Sequence, residues 1–208
     1  MVNVLYDLTT YHDLRQELED EIGQISCRQE GWTQPYDELR KLDSVLRESQ
    51  RLSLPTILGM KRIFRQSYTF RNGLHVPAGT YVCMPTFAIE NDPDYTLDPE
   101  KYDGLRSYDA FIQSQKDDND INSYKKFQFA YAYDRTALNF GYEKFACPGR
   151  YFASLIIKIF FVKLISEFDF KFLPGSERPN NLQAHKFLFT WPWHEMLLKR
   201  KDTGTCPF

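Results

Sequence analysis

"FGYEKFACPGR", Phe140 to Arg150, decides how the rest of the chain is read. A lone cysteine, Cys147, stands between an aromatic, glycine-containing approach and a Pro-Gly step that opens a long apolar run. Proline suits the first turn of a helix, so Pro148 predicts a helix start and puts the Cys147 sulfur at a helix N-terminus. Unpaired N–H groups and the helix dipole favour an anion there, hence a thiolate. A thiolate in that place is a nucleophile or a soft metal ligand; the plainer alternative is a buried structural cysteine.

Working outward, 208 residues with 42% hydrophobic and 16% aromatic content suffice for a globular core, whole or part of a larger domain. A net charge of -2 gives no reason to seek polyanions, so no nucleic-acid partner is expected. Cys27, Cys83, Cys147 and Cys206 are scattered singly, which argues against a zinc knuckle and a disulfide framework and fits a reducing compartment. The opening "MVNVLYDLTTYHDL" lacks a basic n-region and meets Asp7 early, so no signal peptide is expected. No uncharged apolar run reaches the roughly 18 residues of a transmembrane helix. A relative's membrane anchor would lie outside these residues.

Val4, Leu5 and Leu8 read as the last turns of an apolar helix. Leu14, Leu18, Ile22 and Ile25 mark one face of a second helix over 12–25. Pro35 starts a third, with Leu39, Leu42, Val45 and Leu46 on its inner face. After Pro55 the pattern alternates: Tyr68 and Phe70 face Leu74 and Val76 across Asn72-Gly73, a hairpin signal. A turn at Pro77–Gly79 and another extended piece complete a small antiparallel sheet. Residues 91–109 are rich in turn signals, and 113–126 show little pattern, so a long meandering loop is expected before Phe140. From Pro148 onward the run is apolar on nearly every side but carries Lys158, Lys163 and Glu167, which predicts a buried central helix. The tail "FLFTWPWHEMLLKRKD" predicts a terminal hairpin turning near Pro192.

A nucleophilic Cys147 would need a base, and His12, His75, His185 and His194 form no recognisable cysteine-hydrolase pattern. An iron ligand needs a bend that fits a flat macrocycle, small residues such as Gly141, Ala146 and Gly149, and aromatic cover such as Phe140. The stretch "FGYEKFACPGRYFA" resembles the haem-binding loop of the cytochrome P450 monooxygenases, in a fungal-type wording. "ESQR", Glu48 to Arg51, resembles the family's ExxR, and "DGLR" puts Arg106 where its third charge partner belongs. The likeness covers nearly the whole chain, residues 1–208, as a partial domain: ExxR helix, meander, cysteine loop and following helix.

The resemblance implies a mainly α fold with small antiparallel β-sheets. It implies haem b held by Cys147 as axial thiolate, with Phe140 opening the loop, Gly149 after the ligand and Arg62 near a haem propionate. Glu48, Arg51 and Arg106 become a buried triad bracing the loop; by themselves Glu48 and Arg51 read equally as an exposed i,i+3 ion pair. "LSLPTILGM" resembles the stretch that looks over the haem toward substrate, and is otherwise core packing. The implied activity is insertion of one oxygen atom of O2 into a small apolar substrate, in fungal secondary metabolism. NADPH–cytochrome P450 reductase is the implied electron donor. A full-length relative would sit on the cytoplasmic face of the endoplasmic reticulum, and this chain, without an anchor, in the cytoplasm.

The sequence departs from the family in two places, with Glu143 where a glycine is usual and Phe145 where His or Arg often meets a propionate. It also lacks the segment carrying the oxygen-activating acid-alcohol pair. The rival reading is a truncated, catalytically inactive P450-like product or gene remnant.

Overall fold

Helices α1 (Val2–Thr10), α2 (His12–Cys27) and α4 (Arg40–Leu52) form the first layer. The computed structural model describes residues 1–27, 35–117, 126–131 and 136–202, with 204 and 206. The helix expected over 12–25 is present, and Leu14, Leu18, Ile22 and Ile25 all lie in the core. They meet Val4 and Leu8 of α1 and Leu42, Val45 and Leu46 of α4. On the other side stand Phe161, Val162, Leu164 and Ile165 of α7 (Arg150–Glu167) and Phe170.

The helix expected from Pro35 is broken. A short α3 (Pro35–Glu38) stops at Leu39, whose ψ of 72° is not helical, and α4 restarts at Arg40. Leu39 is fully buried and offers no polar cap. The Glu21 carboxylate supplies one from α2, accepting the backbone N–H groups of Lys41 (2.8 Å) and Leu42 (3.1 Å). Burial pushes the Glu21 carboxyl up to about 7, against the opposing pull of those N–H groups. Lys158 of α7 donates to Asp43 of α4 and to the Tyr36 carbonyl, both at 2.8 Å, in a pair buried on both sides.

Each sheet has two antiparallel strands. The hairpin at Asn72-Gly73 forms, pairing Tyr68 with Val76 in β2 (Tyr68–Thr69) and β3 (His75–Val76). Gly73 takes the left-handed φ of 87° that closes the loop, and its N–H donates to Phe70 O at 2.9 Å. The piece after Pro77–Gly79, β4 (Tyr81–Met84), does not extend that hairpin. It pairs with β1 (Gly59–Ile63), so the expected single sheet is two. The tail also pairs otherwise than expected. β7 (Phe187–Phe189) folds back on β6 (Leu182–Ala184), and β8 (Met196–Arg200) runs beside β5 (Phe168–Phe172), the direct continuation of α7. The turn near Pro192 therefore links two sheets.

Short α5 (Thr86–Glu90) precedes the turn-rich stretch, which ends in α6 (Arg106–Asp117). Residues 113–117, expected as loop, are thus helical; the remainder of the expected meander at 118–125 lies outside the described residues. The α7 helix corrects a further expectation. Its inner face is buried, but Phe152, Leu155, Ile156, Ile159 and Phe160 are exposed, Phe152 to 71%. No described helix is long and apolar enough to cross a membrane.

Candidate functional site

The cysteine loop is a chain of short-range hydrogen bonds. Gly141 N–H donates to Leu138 O (2.9 Å), a 3-10 turn spans Glu143–Phe145, and Cys147 N–H returns to Phe140 O (2.6 Å). Arg150 N–H then donates to Cys147 O (3.3 Å), and α7 begins with Gly149 as its N-cap. Cys147 thus stands two residues ahead of that cap, with Pro148 outside the helix proper. Its thiol is free and exposed, so the buried structural alternative does not describe it.

Two glycines shape this loop. Gly141 sits at φ 81°, and a Cβ there would lie 2.8 Å from the Phe145 carbonyl oxygen. A Cβ at Gly149 would stand 4.0 Å from Cys147 Sγ, so glycine leaves the space beside the sulfur open. Where the family usually has glycine, Glu143 adopts φ 48°, a left-handed conformation costly for a residue with a side chain. Phe140 is partly buried and meets core Phe129 edge-on at 5.3 Å, tying the loop's first residue to the helical layer.

Behind the loop lies a buried charge cluster. Arg51 donates from Nε and Nη2 to the two Glu48 oxygens (2.9 and 2.7 Å), and Arg106 Nε reaches the same carboxylate at 3.2 Å. Glu48 and Arg51 side chains are 3% and 8% exposed, so the pair is not a solvated surface bridge. The outer donors of Arg51 meet Pro99 O (2.6 Å), Lys101 O (3.3 Å) and the Asn91 side chain. Those of Arg106 meet Leu97 O, Asp98 O and Lys101 O. Two rigid guanidinium forks on one carboxylate therefore collect four carbonyls of an irregular segment that has few partners of its own.

One residue of this arrangement escaped the sequence reading. Buried Glu90, at the end of α5, accepts the Leu138 N–H at 2.7 Å, and the Asn139 side-chain amide lies against the same carboxylate. Glu90 is next to Asn91, which Arg51 holds, so α5 carries the link from charge cluster to cysteine loop. An acid closing the short apolar run "TFAI" was the available signal. Arg62 stands apart from the cluster, exposed on β1, with its guanidinium 4.3 Å over the Phe145 ring. A cavity of about 360 Å³ lies between this strand and the loop, lined by Leu54, Arg62, Leu138, Gly141, Tyr142 and Phe145 among others. The adjoining Pro55–Gly59 segment contacts the β6–β7 hairpin, with Ile57 N–H donating to Lys186 O at 2.9 Å.

These features fit a haem: a free, exposed soft donor, an open space beside it and a cation at the neighbouring cavity. The cytochrome P450 family profile matches residues 1–198. The chain belongs to the cytochrome P450 family. It is 36% identical over 206 residues to the cytochrome P450 monooxygenase terK of Tolypocladium album, covering 97% of this chain and 38% of that protein. A cytochrome P450 monooxygenase of Emericella nidulans is 34% identical over 197 residues, 94% of this chain and 35% of its own length. For paxP of Penicillium paxilli the figures are 33% over 205 residues, 98% and 37%. The chain thus spans little more than a third of these P450 relatives. A zebrafish cytochrome P450 structure with abiraterone matches 96% of this chain and 43% of its own with a TM-score of 0.71 at 17% identity, which establishes the fold.

Proposed function

We propose that residues 1–208 are the proximal, C-terminal part of a P450 domain, and that Cys147 is its axial haem ligand. Bound haem b would supply activation of O2 for insertion of one oxygen atom into a small apolar substrate, with electrons from NADPH–cytochrome P450 reductase. The observation that carries this reading is the exposed Cys147 thiol, on a loop closed by its own N–H to Phe140 O and opening α7, in a chain of this family. Phe140 and Gly149 shape the loop around the sulfur. Arg62 offers a planar cation to a haem carboxylate. Glu48, Arg51 and Arg106 fix the meander, and Glu90 passes that rigidity to Leu138, so the thiol is held without touching substrate. Pro55–Gly59 would face the substrate. The fungal relatives favour a role in secondary metabolism, on an endoplasmic reticulum membrane for a full-length enzyme.

The test is reconstitution of this chain with haemin, reduction and exposure to carbon monoxide. A strongly red-shifted Soret band that disappears in Cys147→Ser is expected; no haem uptake, or an unshifted band, would overturn the assignment. A second reading, a P450-like chain without catalytic activity, is favoured by the strained Glu143 and by Phe145 in place of a cation. Haem uptake without the shifted band would support it.

A further inference from the structure

Phe145 occupies a position where a cation is usual in the family, yet its ring collects two of them. The Arg62 guanidinium lies 4.3 Å from the ring centroid and the Lys144 ammonium 5.1 Å. They arrive from different segments, one on β1 and one in the 3-10 turn of the cysteine loop. Arg62 is held further by donating from Nη1 to Lys61 O at 2.7 Å. Among the described residues neither cation forms an ion pair; Arg62 and Phe145 line the 360 Å³ cavity, and Lys144 reaches its rim only through the Phe145 ring. The ring is 60% exposed, so it contributes little to the core. An exposed aromatic that gathers two unneutralised cations beside a cavity makes an anion site from a residue that carries no charge.

We propose that Phe145 is a positioning residue: its ring gathers Arg62 and Lys144 into a two-cation clamp for the carboxylates of the tetrapyrrole. The inference rests on the haem reading above and adds Lys144 and Phe145 to it. The cation usual at position 145 is replaced by its neighbour, Lys144, steadied by the ring.

The experiment measures haem loss from this chain to excess apomyoglobin, using haemin and its dimethyl ester as probes. Phe145→Leu should release haemin about 3- to 10-fold faster than wild type, and Lys144→Gln should also accelerate release. Phe145→Trp should restore the wild-type rate, because the larger ring keeps the cation contacts. The dimethyl ester, which has no carboxylate charge, should leave wild type and Phe145→Leu at the same rate. Equal haemin rates for wild type and Phe145→Leu, or equal acceleration with haemin and ester, would overturn the clamp while a Cys147-dependent Soret shift keeps the haem reading. Absence of that shift in wild type would overturn both.

Discussion

Helices α4 and α7 divide polarity between inside and outside in opposite ways. α4 reads as a charged helix, yet Asp43, Glu48 and Arg51 are buried on it, because each meets a partner. α7 reads as apolar all round, yet Phe152, Leu155, Ile156, Ile159 and Phe160 form an exposed stripe at i, i+3, i+4, i+7 and i+8 spacing. The two helices are joined through the core by the Lys158–Asp43 pair. Hydropathy alone would have placed both wrongly. Burial of charge follows from available partners, and exposure of hydrophobes from what packs against them.

The contrast is broken most severely at Glu48. Glu48→Ala would leave Arg51 buried without its carboxylate, and should lower unfolding stability by about 3–5 kcal/mol in a urea titration. On α7 the same titration should separate the two faces. Phe161→Ala, in the fully buried row, should cost about 3–5 kcal/mol, whereas Phe152→Ala should stay within roughly 0.5 kcal/mol of wild type.

The Glu21 cap at the start of α4 gives a pH signature. Its folded value of about 7 exceeds the ordinary 4.5, so between those values the folded chain binds the extra proton. Its contribution to stability is therefore fully present below about 4.5 and lost as pH rises toward 7. The difference is on the order of 3 kcal/mol, and Glu21→Gln should flatten that part of the stability–pH curve. A curve with unchanged slope in the variant would remove Glu21 from this role. A smaller gain is expected at Glu143, where glycine relieves a left-handed φ; Glu143→Gly should raise stability by about 1 kcal/mol.

Much of this was legible in the sequence where a local pattern had a local cause. Asn72-Gly73 closes its hairpin, and the Leu14–Ile25 stripe lies in the core. The turn residues around Cys147 mark a loop opening a helix. α6 was missed because Phe111 is the buried side chain that fixes it, and one apolar residue sets no period. The break at Leu39 depends on Glu21, two helices away, and strands β5 and β8 meet across 23 residues or more of intervening chain, which no short window contains. Glu90 showed in the sequence only as an acid closing a short apolar run; its partners, Leu138 and Asn139, lie 48 residues or more ahead, outside any short window. For α7 the pattern was read correctly as apolar, but exposure is decided by neighbours and not by composition.

The central claim is that the buried cluster on α4 holds the exposed cysteine loop through α5. Native-state hydrogen exchange of the Leu138 and Cys147 amides, in wild type and in Glu48→Gln, tests it most directly. Both amides should be protected in wild type by their bonds to Glu90 and Phe140 and lose at least about tenfold in protection in the variant, while the α2 amides keep theirs. Unchanged protection at Leu138 and Cys147 in a folded Glu48→Gln chain would contradict it.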